Sequence, residues 1–368
     1  MKIREKLKKN WFTVLTLVIS VGILLCFLFS NDGIATLSEI ITTLQFRWLF
    51  VTLLAAVACW ILEGLALHLI VKHVWKDWDY KRSFSVGMVG LLYSAITPSA
   101  TGGQPMQIYT MHNMGIDTGV ACSVSAVKTL SYQTVMLFYA LAMVIWKLRY
   151  FQTNVSNFSF ITIIGILCNS LFIAAVCLFM VSEKTTDRIL RGILRLAARM
   201  KLCRNPEKQY EKVHGQLAMF HDASKIMGNS ARFYVPIVAV TVLQITLNSL
   251  IPYFIYRSFN YNGADIFTMI AAQVFVAMVS AFVPLPGSSG GAESCFYLFF
   301  GPYFRSAIWP AVLLWRFITY YLNILFGSVC TYWSNRYIRK LKAAVPAAEP
   351  SAETAENSEK TPGDMQKK

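Results

Sequence analysis

The sequence predicts an all-α integral membrane protein with six full spans and two re-entrant helical hairpins, forming an inverted repeat. Three observations carry that prediction. The chain is 55% hydrophobic and only 14% charged, against about 25% charged residues in soluble domains, and its mean hydropathy is +0.48. Several apolar runs reach the roughly 20 residues that cross a bilayer as helix. Finally, one motif occurs twice, 188 residues apart: Pro98-Ser-Ala-Thr-Gly102-Gly103-Gln104 and Pro286-Gly-Ser-Ser-Gly290-Gly291-Ala292-Glu293. Both copies interrupt apolar sequence, and their surroundings match. Tyr109 and Tyr297 lie eleven residues after each proline, the cations Lys128 and Arg316 thirty after, and Tyr132 and Tyr320 four beyond the cations. A register held over 34 residues without a gap indicates a duplicated unit, and duplicated units with broken helices are typical of transporters.

The elements follow in order. The first apolar run, 11–30, comes after a basic start (Lys2, Arg4, Lys6, Lys8, Lys9) and is longer than a signal-peptide core, so it reads as a retained signal anchor. Residues 31–47 read as a short amphipathic segment on the outer surface. Full spans are expected at 48–71, 118–146, 158–181, 233–257 and 306–333. The regions 85–116 and 266–303 are each interrupted by the Pro/Gly motif. The cytoplasmic stretch 183–232 carries eleven Lys/Arg against five Asp/Glu. Within it, Arg188, Arg191, Arg195 and Arg199 line one helical face, opposite Ile189, Ile193, Leu196 and Met200. That face suits either an anionic lipid surface or packing of a soluble helix on the membrane core. The tail, 346–368, lacks apolar periodicity and is expected to be disordered. The predicted organisation is one polytopic domain, 1–345, with repeat units of about 48–146 and 233–333.

Charge sets the topology. Cations at the N-terminus, in loop 72–84, in 183–232 and after the last span all belong on the cytoplasmic side, which places both termini inside. The interrupted regions must then enter and leave on one face each, 85–116 from the cytoplasm and 266–303 from outside. Their arms before the glycines, roughly 13–18 residues, are too short for a full crossing. Lys147 and Arg149, in a loop 147–157 placed outside, run against the charge rule.

The net charge of +15 is accounted for by these flanking loops rather than by nucleic acid. The eight cysteines show no CxxC spacing and no His partner, so neither a disulfide framework nor a metal site is expected. No HExxH, GxSxG or P-loop motif occurs, so neither cofactor nor catalytic residues are predicted.

Candidate binding residues follow from the motifs. Irregular backbone at membrane depth is tolerated only when buried in protein or lining a wet cavity. Gly102, Gly103, Gly290 and Gly291 permit close approach, and the half-helices that start there point N–H groups inward, where anions are favoured. Lys128 and Arg316 sit about ten residues into their spans, where a charge is costly and has a partner or a task. Glu63 and Glu293 are the available counter-charges. Two readings stay open at this point: structural ion pairs, or an anion-binding cavity at mid-depth. Gln104, Gln107, Gln133, Gln244, Asn248 and Asn323 are candidate lining residues. Tyr132 and Tyr320 share a face with their cations.

Three phrases carry a family resemblance: Thr97-Pro-Ser-Ala-Thr-Gly-Gly-Gln-Pro-Met-Gln-Ile-Tyr109, Pro284-Leu-Pro-Gly-Ser-Ser-Gly-Gly-Ala-Glu293 and Leu314-Trp-Arg-Phe-Ile-Thr-Tyr-Tyr321. Together they resemble the flippase-like transmembrane domain of the lysylphosphatidylglycerol synthase family, over about residues 10–340. The resemblance implies a bacterial inner-membrane protein that moves a phospholipid, such as aminoacylated phosphatidylglycerol, between leaflets. In the family, a C-terminal cytosolic domain makes that lipid from lysyl-tRNA. On this reading the chain lacks that domain, and a separate lipid-modifying synthase is an expected partner. The sequence departs from the family at Gln104 and Gln107, where many members carry an acidic residue and an arginine, so lysylphosphatidylglycerol is not carried over as the substrate. Two alternatives remain: a phosphatidylglycerol lysyltransferase-family protein or subunit in lipid aminoacylation and cationic peptide resistance, and a transporter of small anions.

Overall fold

The computed structural model describes residues 22, 44–155, 158–199, 206–228, 231–281, 283, 285 and 287–344. The predicted signal anchor (11–30, apart from Gly22), most of the amphipathic segment 31–47 and the tail 346–368 lie outside the described residues. Every regular element among the described residues is helical. In chain order these are α1 (Phe46–Val74), α2 (Tyr80–Ile96), α3 (Gly103–Asn113), α4 (Thr118–Asn154), α5 (Phe158–Val181), α6 (Glu183–Arg199), α7 (Pro206–Gly228), α8 (Ala231–Ser258), α9 (Ile266–Ser280), α10 (Gly291–Phe304), α11 (Ile308–Arg316) and α12 (Leu322–Ala344). A 3₁₀ turn, Arg305–Ala307, precedes α11, and a π-helical turn, Phe317–Tyr321, joins α11 to α12. Five helical stretches among the described residues are long and apolar enough to cross a membrane, while Ile266–Ser280 is apolar but short.

Local chemistry explains where the helices begin and end. The Asp79 side chain accepts the Arg82 N–H at 3.2 Å and caps α2. In the same way Asp265 accepts the Thr268 N–H at 3.1 Å and caps α9. These carboxylates satisfy N–H groups that the first turn leaves unpaired. The first arm of the first hairpin stops at Ile96, with Thr97 extended ahead of Pro98, as the residue before a proline prefers.

The two motif copies fold alike. The second arms start at Gly103 and at Gly291. The Ala100 N–H donates to the Thr97 carbonyl (3.3 Å), and the Ser288 N–H to the Leu285 carbonyl (2.9 Å). Met106 donates to Gly102 (3.2 Å), and Ser294 to Gly290 (3.0 Å). Two consecutive left-handed residues form each tip: Ser99 and Ala100 at φ 49° and 55°, Gly287 and Ser288 at 57° and 54°. Such backbone costs about 1–2 kcal/mol per non-glycine residue, so its recurrence at positions 188 residues apart is informative.

The copies diverge after the cations. Helix α4 runs unbroken to Asn154, so most of the expected loop 147–157 is helix. Its counterpart is broken directly after Arg316 by the π turn, a feature frequent at functional sites. The Lys147 ammonium pairs with Asp265 at 2.7 Å, which gives the misplaced cation a local counter-charge.

Apolar packing holds two groups of helices. An aromatic cluster of Phe151, Phe158, Phe275 and Phe299 joins α4, α5, α9 and α10. A second core, including Leu67, Ile70, Met111, Val124 and Met227, joins α1, α3, α4 and α7. Phe160, Ile163, Leu167 and Leu171 of α5 stay exposed, an apolar face that suits lipid rather than water. Helix α7 lies along α4: the Gly119 N–H donates to Gln216 Oε1 at 2.9 Å, and the Ser123 and Ser224 hydroxyls meet at 2.8 Å. Of the cationic face on α6, Arg188, Arg191 and Arg195 are exposed, and Arg191 pairs with Asp187 at 2.9 Å. The side chains of Ile193, Leu196, Arg199 and Met200 lie outside the described residues.

Candidate functional site: two cavities at the hairpin tips

Two cavities meet where the helices are interrupted. The smaller, about 410 Å³, is lined from α1, α4, α8, α9, α11, α12 and both tips, with Trp60, Gln244, Asn248, Gln273, Trp315, Arg316 and Asn323 among its walls. The larger, about 890 Å³, mixes polar lining residues such as Ser99, Thr101, Gln104, Gln133 and Asn169 with apolar ones, Phe172 and Phe179 of α5 among them. Ala100, Tyr132, Ala277, Ala281 and Ser288 line both. Ala100 and Ser288 are the matched left-handed residues of the two tips.

The intramembrane charges are paired. Arg316, 5% exposed, grips Glu293, 2% exposed, in a two-point fork: Nε to Oε1 at 2.8 Å and Nη2 to Oε2 at 2.9 Å. Its Nη1 also donates to the Gly287 carbonyl at 3.1 Å and its Nη2 to the Ser288 carbonyl at 3.4 Å. Glu293 in turn accepts the Gly290 N–H at 2.6 Å. One arginine therefore fixes the second tip through both its carboxylate and its backbone. Bidentate arginine–carboxylate contacts are among the strongest and most directional hydrogen bonds.

Lys128 pairs with Glu63, whose second oxygen accepts from Gln244 Nε2 at 3.2 Å. This pair links α4, α1 and α8. Arg316 lines the smaller cavity, whereas Lys128, Glu63 and Glu293 line neither of the two. The two cations occupy matched sequence positions, but their carboxylates do not: Glu293 belongs to the motif itself and Glu63 to the preceding span.

The glycines serve the hairpins. A Cβ on Gly103 would lie 2.0 Å from Ser94 Oγ and 2.9 Å from the Gly90 carbonyl oxygen, and one on Gly291 would lie 2.3 Å from the Val283 side chain. These two positions let the second arm lie against the first. Gly102 donates its N–H to Thr97 Oγ1 at 2.9 Å. Gly290 faces open space at φ 82°, a conformation that favours glycine.

The other predicted residues separate by role. Gln104 is exposed and lines the larger cavity, while Gln107 is buried against Gly90. Tyr132 lines both cavities. Tyr320 is buried, donates to the Ala95 carbonyl at 3.2 Å and lies beside Arg316, so it ties the π turn to the first hairpin. Asn323 accepts the Trp60 indole N–H at 2.6 Å. Gln133 accepts from Asn169 at 3.2 Å. Sequence reading missed Gln273 and Trp315. Both are buried and belong to the lining of the smaller cavity, and among the described residues the Gln273 side-chain oxygen and the Trp315 indole N–H have no hydrogen-bond partner. A lone amide inside the otherwise apolar run Ile266–Ser280 was the available signal for Gln273.

Among the described residues, no group of three or more His, Cys, Asp or Glu side chains is placed to hold a metal ion.

Comparison with known proteins bears on this geometry. The family model described as the lysylphosphatidylglycerol synthase TM region matches residues 13–327. The chain belongs to that family. Both interrupted hairpins, both cavities and both ion pairs fall inside the matched region. A UPF0104 membrane protein of Archaeoglobus fulgidus is 26% identical over 299 residues, covering 78% of this chain and 86% of the relative. The protein is therefore a multi-pass membrane protein of the lysylphosphatidylglycerol synthase TM-region family.

Proposed function

We propose that this protein moves a membrane lipid between leaflets, its head group passing through the two cavities at the hairpin tips. The observation that carries the reading is the pair of matched tips lining both cavities. Interrupted backbone in a membrane protein requires a protein-lined or wet setting, and here both tips border protein-lined cavities of mixed polar and apolar lining. The larger cavity combines polar residues with a mostly apolar lining, which suits an amphiphile better than a small inorganic anion. In this reading the two halves form an inverted repeat whose hairpins dip from opposite faces, in the inner membrane, with both termini cytoplasmic. The cation distribution supports that orientation.

Lys128 and Arg316 have separate tasks in this mechanism. Arg316 holds the second tip in shape. Lys128 meets a lipid phosphate while still holding Glu63, whose second oxygen stays on Gln244, so the carboxylate is not stranded. Gln104, Tyr132 and the tips at Ala100 and Ser288 line the route, while Gly102, Gly103 and Gly291 keep the hairpin arms close and Gly290 supplies the positive-φ turn.

The test is transbilayer movement of fluorescent phospholipids in proteoliposomes, across phosphatidylglycerol, phosphatidylethanolamine and aminoacylated phosphatidylglycerol. Wild-type protein should accelerate at least one of them, and Lys128→Ala should lose that movement while remaining folded. No acceleration of any lipid by folded wild-type protein would overturn the proposal.

A further inference from the structure

The basic helix α6 starts where a membrane span stops. In the last turn of α5, Leu178 and Val181 are 54% and 83% exposed, so lipid still surrounds the helix there. Ser182 then breaks it: its Oγ accepts the Thr185 N–H at 3.2 Å and caps α6. Thr186 reaches back, its hydroxyl donating to the Phe179 carbonyl at 2.8 Å and to the Ser182 carbonyl at 3.0 Å. Two contacts with α7 hold the new helix in place. Glu183 pairs with Lys225 at 2.5 Å, and Arg191 Nη2 donates to the Tyr210 hydroxyl oxygen at 2.8 Å. Helix α6 is therefore fixed at the edge of the bilayer from its first turn.

Its charges are one-sided. The helix carries five cations and two acids, and both acids are taken, Glu183 by Lys225 and Asp187 by Arg191. Lys184, Arg188 and Arg195 are exposed and have no carboxylate partner among the described residues. At 3.6 residues per turn, Lys184, Arg188, Arg191 and Arg195 fall within an arc of about 60° and run for about 16 Å along the axis. Like charges at this spacing repel one another, so the stripe gains from an external anionic surface. Next to Arg188 in the chain, Ile189 is 46% exposed. A cation stripe flanked by an exposed apolar side chain suits a helix lying in the head-group plane of an anionic bilayer.

We infer that α6 docks on anionic phospholipid head groups of the leaflet in which α5 ends, with Lys184, Arg188 and Arg195 against phosphates and Ile189 reaching below them. The nearest anions to a helix anchored at the bilayer edge are those of the lipid itself, and an acidic soluble protein would have no use for Ile189. Docking of α6 does not depend on lipid movement, so either reading can fail alone.

The experiment compares the full chain in nanodiscs of phosphatidylcholine alone and of phosphatidylcholine mixed with phosphatidylglycerol. Hydrogen–deuterium exchange of the α6 amides is the readout, and α4 amides report the integrity of the fold. One cation at an anionic surface is worth about fivefold in association. The α6 amides should therefore exchange at least fivefold more slowly in the mixed discs. The triple variant Lys184→Gln/Arg188→Gln/Arg195→Gln should lose that difference while α4 stays protected. In wild type, which needs no substitution, high salt should also reduce it, because exposed charges are screened. Equal exchange in the two compositions would overturn the inference. So would a slowing that the triple variant keeps, which reports surface potential alone, or one that salt leaves untouched.

Discussion

Removing the Glu293 carboxylate should be the most damaging single change at the hairpin tips. Glu293→Ala leaves the Arg316 guanidinium, 5% exposed, without a counter-charge and hydrogen-bonded to the Gly287 and Ser288 carbonyls. It also frees the Gly290 N–H. Breaking one side of a buried ion pair costs about 3–5 kcal/mol, because the surviving charge stays buried without compensation. Arg316→Met in the same background removes that stranded charge, and replacing a whole buried pair by apolar groups of similar volume is often neutral or stabilising. The double variant should therefore recover at least about 2 kcal/mol relative to Glu293→Ala, a non-additivity expected only of residues in direct contact. Reversible unfolding in mixed micelles of increasing denaturing detergent measures all four species of the cycle. A Glu293→Ala protein within about 0.5 kcal/mol of wild type, or strictly additive effects, would refute the assignment of Arg316 as the tip's anchor, since ordinary surface substitutions fall in that range.

Other outcomes follow from the same geometry. Tyr320→Phe deletes the hydrogen bond to the Ala95 carbonyl and should cost about 0.5–1.5 kcal/mol in the same unfolding measurement. Gly103→Ala places a methyl against Ser94 Oγ and the Gly90 carbonyl and should cost about 1–3 kcal/mol; Ser94→Ala should relieve only part of this, because the Gly90 contact is backbone. Ala100→Gly relieves a left-handed alanine at φ 55° and should be neutral or stabilise by up to about 1 kcal/mol, the strain of about 1–2 kcal/mol being offset by the freer unfolded chain. At the α8–α9 connection, burial pushes the Asp265 carboxyl up, but hydrogen bonds from Lys147 and Thr268 outweigh it and hold the group below its ordinary 3.8. The stabilisation is then present above the unfolded value and lost as pH falls through the lower folded one. Lys147→Met should reduce that acid-side loss in a pH series of melting curves.

Much of this fold was legible because two periodicities were strong. Apolar length marked the spans, and the motif's recurrence marked the interruptions; both second arms begin at the second glycine of their motif. Legibility failed where structure depends on neighbours in space. The π turn after Arg316 leaves no trace in a sequence that otherwise parallels α4. The helix through Lys147 went unread because its counter-charge, Asp265, is distant in the chain. The cations were identified by position, but their carboxylates come from non-equivalent elements, and only packing chooses between a free cation and a paired one. Gln273 and Trp315 were hidden because an amide or an indole in a span is usually satisfied by a neighbouring helix, and these two are not.

The central claim is that a lipid crosses through the space shared by the two hairpin tips. Ala277, on α9, lines both cavities, so Ala277→Trp fills the passage without touching either ion pair. The decisive measurement is lipid movement in proteoliposomes by wild type and by this variant, at matched incorporation and fold. The account predicts acceleration by wild type and near-background rates for Ala277→Trp. Movement at the wild-type rate through the plugged protein would contradict it.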